Sequence, residues 1–355
     1  MSRYFSSSLS SLAPYTPGEQ PQDLSSFIKL NTNENPYGPE RETLEKAVEG
    51  MRRLNLYPDP SQNELRSKIA SLYGVGKENV TLSNGSDEML LFCFLAFCPP
   101  GSVILTPDIT YSFYNTLTSL MGLETREIPL KDDFSVDVDA FCRRKGTVVI
   151  ANPNALTGIN LPLEDVERII SSDSNRICII DEAYVDFGGE SALPLINKYP
   201  NVVVVRTFSK SRSLAGARLG YAFANEELIE DTERVRNSIN PYNINSFTLS
   251  AAKLKLEDEP STWKNIEEIK RTREYTVKEL GKLGFTVLPS SSNFIFVTSP
   301  VLPGDTYYSE LKKRGILIRH FTRKRIESFS RITIGRREDM ETLIRKTQEI
   351  LNERI

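Results

Sequence analysis

Residues 201–210 read NVVVVRTFSK: four consecutive valines run into an arginine, two hydroxyls and a lysine. An apolar run without polar alternation is the pattern of a central strand covered on both faces of a sheet. Similar β-branched runs stand upstream as RICIID (176–181), TVVIAN (147–152), ETREIPL (124–130), VILTP (103–107) and VTLS (80–83). Segments of helical length lie between them, among them Tyr111 to Met121 and Pro162 to Ile170. Repeated βα crossovers follow, and with them an α/β fold: a mainly parallel sheet flanked by helices.

Outward from this block the rhythm changes. Pro39 to Arg53 reads as helix, and Ser61-Gln62-Asn63-Glu64 reads as a capping box opening a helix that runs to about Tyr73. Long helical candidates cover Asn243 to Leu256 and Trp263 to Leu283. After Gly284 come FTVLP, FIFV, a helix ending near Arg314, ILIR, RITIG and a terminal helix from Arg337, the alternation of a smaller α+β domain. Glu257-Asp258-Glu259-Pro260 interrupts the helical pattern and sets the expected boundary: a large domain over 36–258 and a small one over 259–355. Residues 1–35, rich in Ser, Pro and Asn, read as an arm lying over another surface.

The bulk numbers exclude several classes. A chain of 355 residues with 39% hydrophobic and 26% charged residues is built to bury a large core, and its 20 Pro and 19 Gly are dispersed. Forty-four basic against 47 acidic residues leave a formal charge of -3, so no global basic field recruits nucleic acid or an anionic membrane. The basic clusters Arg143-Arg144-Lys145 and Arg323-Lys324-Arg325 read as solvated faces. Met89 to Cys98, the longest apolar stretch, is far short of the ~20 residues that span a bilayer. Cys93, Cys98, Cys142 and Cys178 lack metal-site spacing and read as thiols in a reducing compartment; a cytoplasmic protein is the expectation. His320, the only histidine, has no flanking metal ligands and reads as a bystander.

Three polar clusters sit where open α/β sheets place ligands, beyond strand ends or at a helix start. Asn84-Gly85-Ser86-Asp87-Glu88 precedes an apolar helix; it is either a plain N-cap or an anion cradle of free N–H groups. Asp181-Glu182-Ala183-Tyr184 follows a buried strand; the acid either caps a loop or is held ionised against a protonated heteroaromatic nitrogen. Thr207-Phe208-Ser209-Lys210 leads to Gly216-Ala217-Arg218; the lysine is either a surface side chain or a nucleophile, with Thr207, Ser209 and Arg218 completing a phosphate site.

Together with LAPYTPG (12–18), KLNTNENPYGP (29–39), YPDP (57–60), TPDITYSFY (106–114), ANPNALTG (151–158), PYNIN (241–245) and RITIG (331–335), these clusters occur in an order that resembles the fold-type I enzymes dependent on pyridoxal 5'-phosphate. Within them the chain is most similar to the histidinol-phosphate aminotransferases, along nearly its whole length. The resemblance implies that Lys210 carries the cofactor as a Schiff base and shuttles the substrate Cα proton. It implies further that Asp181 pairs with the pyridinium nitrogen, Tyr184 donates to the ring 3' oxygen and Tyr111 stacks on the ring. Ser86, Asp87, Thr207, Ser209 and Arg218 would hold the phosphate, with Tyr57 reaching it from the neighbouring subunit of a homodimer. Tyr15, Asn33, Arg319 and Arg331 would bind substrate. The chain departs from the family at Ala155, where an asparagine usually faces the 3' oxygen; Asn154 is the expected replacement, with Asn152 behind it. The implied reaction is transamination of L-histidinol phosphate with 2-oxoglutarate, giving imidazole-acetol phosphate and L-glutamate in histidine biosynthesis. An aminotransferase for aromatic or other amino acids, a threonine-phosphate decarboxylase and a binding protein that has lost turnover remain as alternatives.

Overall fold

The computed structural model describes residues 2–10 and 12–354; Met1 and Ser11 of the arm and Ile355 lie outside the described residues. In chain order the strands are β1 (Ile28–Lys29), β2 (Val80–Ser83), β3 (Val103–Pro107), β4 (Glu124–Ile128), β5 (Thr147–Ala151), β6 (Cys178–Asp181), β7 (Val202–Thr207), β8 (Gly220–Phe223), β9 (Thr286–Val287), β10 (Phe294–Thr298), β11 (Ile316–Leu317), β12 (Arg319–His320) and β13 (Phe329–Thr333). The helices are α1 (Arg41–Ala47), α2 (Asn63–Tyr73), α3 (Ser86–Phe97), α4 (Phe113–Met121), α5 (Val138–Arg143), α6 (Leu163–Ser171), α7 (Glu226–Ile239), α8 (Ser246–Glu257), α9 (Glu259–Lys282), α10 (Gly304–Lys313) and α11 (Arg337–Asn352).

A seven-stranded sheet in the order β2-β8-β7-β6-β5-β3-β4 forms the centre, parallel except where β8 lies antiparallel between β2 and β7. The valine run of β7 explains why both faces are covered. Val203 and Val205 join one core cluster with Val149 and Ile179, while Val202 and Val204 join another with Val148, Ile150 and Ile180. Alternate side chains of one strand thus feed opposite layers, and each buried aliphatic side chain contributes roughly 1.5–3 kcal/mol. From β3 the chain moves outward to β4, then returns to β5 on the other side of β3 and proceeds to β6 and β7. The β3/β5 junction is therefore a topological switch point, where a crevice opens beyond the carboxyl ends of the strands.

A second, antiparallel sheet, β12-β13-β10-β9, is joined by α10 and α11. The end of the arm does more than cover a surface: β1 pairs in parallel with β11, and Leu30 accepts from the Thr333 amide at 2.9 Å. Its apolar alternation, Ile28 and Leu30, is too short to announce a strand.

Three further local differences have physical causes. The capping box is absent: Asp59 Oδ1 captures both the amide and the hydroxyl of Ser61, at 2.9 and 2.6 Å, and Gln62, in the left-handed region at φ 53°, precedes the helix instead. Strand β8 (GYAF) lacks the β-branched run that marks its neighbours. Helix α7, unread in the sequence, carries a plain start signal, Asn225 accepting from the Leu228 amide at 2.9 Å.

Beneath the end of β6 the Arg206 guanidinium meets Glu182 Oε2 at 2.9 Å, with side-chain exposures of 6% and 0%. Glu182 also accepts from the Ala192 amide and the Ser191 hydroxyl, at 2.5 and 2.7 Å. Removing one partner strands a buried charge. Glu182→Ala is expected to lower the unfolding free energy in urea by about 3–5 kcal/mol, while Glu182→Leu combined with Arg206→Met recovers most of it. A loss below ~1 kcal/mol for the single variant, the value of an exposed pair, would contradict the pairing.

Candidate active site

The carboxyl ends of β3, β6 and β7 open into one cavity of about 440 Å³. Into it the fold delivers Asp181, the last residue of β6, and Lys210, three residues beyond the end of β7. Ser86 and Asp87 arrive from the start of α3, and Tyr111 from the loop after β3. Arg319 and Arg331 come from β12 and β13, and Tyr15 from the arm. Tyr184, Asn33, Thr207, Ser209 and Arg218 complete the expected set that lines it.

One end of the cavity is an anion cradle. Gly85, at φ 85°, brings the chain into α3 so that the amides of the first turn lack helical partners. A Cβ on Gly85 would stand 2.5 Å from Arg218 Nη2, and one on Gly220 would stand 2.4 Å from the Ser86 nitrogen, so both glycines are needed for this approach. The Thr207 hydroxyl donates to Ser209 Oγ at 3.0 Å. Asp87 is turned from the cradle: its Oδ1 accepts from Tyr111 Oη at 3.0 Å and its Oδ2 lies 3.5 Å from Arg218 Nη2. Its side chain is thus engaged by protein groups.

Asp181 is buried and has no ion-pair partner among the described residues. Its Oδ2 accepts from Tyr114 Oη at 2.8 Å and its Oδ1 from the Ala183 amide at 3.2 Å. Its carboxyl is raised to about 6: burial, the largest cause, pushes it up, the bonds from Tyr114 and the Ala183 amide pull it down, and the charges of Asp87 and Glu182 add to the rise. A group that brings a cationic N–H donor on a flat ring satisfies this site, and a phosphorylated pyridine fits both Asp181 and the cradle.

Lys210 lines the same cavity. Its Nζ donates to the Thr32 carbonyl at 3.2 Å and lies 5.7 Å from the centre of the Tyr184 ring. Asn35 fixes the backbone by donating to the Lys210 and Ser211 carbonyls at 3.1 and 3.2 Å. Asn33 donates to Tyr184 Oη at 3.0 Å, while Thr333 and Asn293 hold its own backbone and side chain.

At the other end, Arg331 donates to the Ala155 and Asn31 carbonyls at 3.1 and 3.2 Å, and its Nε is shielded from solvent with no hydrogen-bond partner among the described residues. Arg319 donates to the Thr16 and Pro17 carbonyls, each at 3.2 Å. That grip carries Tyr15 against Tyr111 and Phe113, with ring centres 5.8 and 6.1 Å apart.

Two expected residues are not brought in. Asn154 does not replace the missing asparagine: its Nδ2 donates to the Ile109 carbonyl at 2.9 Å and its Oδ1 accepts from the Leu156 amide at 3.1 Å. It tethers its own loop and lines a separate cavity. Asn152 is likewise spent on Leu161, donating to its carbonyl and accepting from its amide. Tyr57 is 79% exposed and stacks on Tyr242 at 4.4 Å, away from this chain's cavity. His320 bonds the Phe329 carbonyl and lies outside the cavity lining. Sequence reading missed Tyr114; its signal was the Tyr111-x-x-Tyr114 spacing at the start of a helix.

Known proteins resemble the chain over nearly its whole length. The family model described as aminotransferase class I and II matches residues 25–346. The histidinol-phosphate aminotransferase of Clostridium botulinum is 43% identical over 353 residues, 99% of each chain. That of Clostridium acetobutylicum is 43% identical over 352 residues, 99% of this chain and 100% of the relative. The solved histidinol-phosphate aminotransferase of Sinorhizobium meliloti, a complex with pyridoxal-5'-phosphate, shares the fold with a TM-score of 0.88 at 24% identity, covering 99% of each chain. A family model that spans residues 25–346 and relatives 43% identical over 99% of the chain place it in the histidinol-phosphate aminotransferase family of class I and II aminotransferases.

Proposed function

We infer that the chain is a pyridoxal 5'-phosphate-dependent transaminase of histidine biosynthesis, converting L-histidinol phosphate and 2-oxoglutarate to imidazole-acetol phosphate and L-glutamate. The observation that carries this reading is the convergence on one cavity of Lys210, the uncompensated carboxylate of Asp181 and the cradle at Ser86. Bound there, pyridoxal phosphate supplies a protonated ring that takes up the charge left when the substrate Cα loses its proton.

The protein's own groups do the rest. The amides of Ser86 and Asp87, the hydroxyls of Thr207 and Ser209 and the Arg218 fork hold the phosphate. Asp181 holds the proton on the ring nitrogen. Tyr184, oriented by Asn33, donates to the ring 3' oxygen, and Tyr111 lies against the ring. Lys210 would hold the cofactor at rest, and its free Nζ would move the proton from the substrate Cα. Arg331, whose Nε has no hydrogen-bond partner among the described residues, and Arg319 receive the substrate anion, phosphate in one half-reaction and carboxylate in the other. Tyr15 covers the bound amine and excludes water.

Leu44, Val48, Met51, Leu54 and Leu56 form an exposed apolar run leading to Tyr57, which supports a homodimer in which Tyr57 serves the partner's phosphate cradle. Asp258, which closes α8 and opens α9, is the proposed boundary between a large cofactor domain and a small one. No helix among the described residues is long and apolar enough to cross a membrane, and all four cysteines are free, in keeping with a cytoplasmic enzyme.

Lys210→Ala is expected to abolish the visible absorbance of the bound cofactor and to lower kcat by about 10³-fold or more; normal turnover refutes the assignment. Arg331→Gln should raise KM for both histidinol phosphate and 2-oxoglutarate by roughly 10–100-fold, the value of a lost charged hydrogen-bonding partner. An unchanged KM for both would remove Arg331 from substrate binding. Mixing Lys210→Ala and Tyr57→Ala subunits under exchange should restore up to about a quarter of wild-type activity, since half the dimers then hold one intact site. No gain despite exchange contradicts a shared site.

A further inference from the structure

Two tyrosines, Tyr111 just before helix α4 and Tyr114 in its first turn, both end on carboxylates: Tyr111 on Asp87, and Tyr114 on Asp181 at 2.8 Å. Tyr114 is among the largest fully buried side chains of the protein. A phenylalanine would fill the same space without needing an acceptor in the core, so the hydroxyl has to be explained by what it bonds. Its partner is the one buried acid of the cavity with no cation paired to it among the described residues.

We propose that Tyr114 is a positioning residue for transamination: its phenol orients the Asp181 carboxylate and holds it ionised, so that Asp181 presents full negative charge to the cofactor's ring nitrogen. This rests on the reading that Asp181 faces that nitrogen. The geometry supports it in two ways. Tyr114 occupies Oδ2 and the Ala183 amide occupies Oδ1, which fixes the plane of the carboxylate while leaving each oxygen a free lone-pair direction. The surroundings otherwise disfavour the charge. Burial acts against it most strongly, and Asp87 from α3 and the adjacent Glu182 repel it; of the groups that favour it, the Tyr114 phenol stands ahead of the Ala183 amide. Tyr111 and Tyr184 face the same phenol.

The pH consequence has a definite sign. A hydrogen bond to the charged form lowers the pKa of an acid, so its removal lets Asp181 stay protonated to higher pH. Protonated Asp181 cannot balance a pyridinium, and cofactor affinity falls on the acid side of that transition.

The test compares wild type, Tyr114→Phe, Asp181→Asn and the double variant, each reconstituted with pyridoxal phosphate. Two quantities are read: the single-turnover rate with histidinol phosphate and the cofactor dissociation constant as a function of pH. Tyr114→Phe should slow the turnover about 10-fold, leave KM within about 2-fold and move the acid-side loss of affinity to higher pH. On the Asp181→Asn background it should change neither quantity further. Replacing Tyr114 with 3-fluorotyrosine, a stronger donor of the same shape, should move the affinity loss to lower pH, a response that a merely space-filling role would not give. The proposal is overturned if Tyr114→Phe matches wild type, if it slows both backgrounds by the same factor, or if fluorination leaves the pH midpoint unmoved. The underlying reading fails separately, and takes the proposal with it, if Asp181→Asn by itself alters neither rate nor affinity.

Discussion

A carboxylate buried at the end of a central strand, with two hydrogen bonds and no cation paired to it among the described residues, is the constraint around which this molecule is arranged. In a low-dielectric interior such a charge is unstable alone. The fold spends nothing on neutralising it, although it does so one residue later, where Glu182 receives Arg206. Neighbouring acids, equally buried, are thus treated oppositely. Glu182 is sealed into the scaffold, whereas Asp181 is left poised for a ligand that brings its own positive charge.

The other parts of the site follow from where that ligand must lie. The switch point between β3 and β5 opens the crevice, and the turn at Gly85 supplies an anion hold on the far side of β8 and β7. The lysine amine waits on the Thr32 carbonyl, which belongs to the segment stitched to the C-terminal sheet through β1 and Thr333. The arm, the small sheet and Lys210 therefore share one set of contacts. Arg319 adds to it by gripping Thr16 and Pro17, so the residue expected to meet substrate already holds the flap that covers it.

Much of this was legible in the sequence because the decisive residues stand directly after apolar strand runs. Val202 to Val205 announce β7 by composition alone, and Lys210 follows at a fixed remove. The central strands and most helices lie close to where hydrophobic periodicity puts them. What stayed hidden depends on contacts between distant segments. β8 is a strand because β2 and β7 flank it, and nothing in Gly220-Tyr221-Ala222-Phe223 demands it. Ser61 failed as a cap because Asp59 competed for it. Asn154 was expected at the ring because its position is one residue from the usual asparagine, but backbone groups of its own loop claim both ends of its amide. Tyr114 escaped notice because a buried tyrosine reads as core until its hydroxyl partner is known.

The central claim is that Asp181 keeps the ring nitrogen protonated, and the nitrogen itself reports on this most directly. With pyridoxal phosphate labelled with 15N in the ring and bound to the wild-type protein, the nitrogen chemical shift should be that of a pyridinium at neutral pH, above the value of about 6 to which burial raises the free carboxyl. A shift characteristic of neutral pyridine under the same conditions would contradict the account.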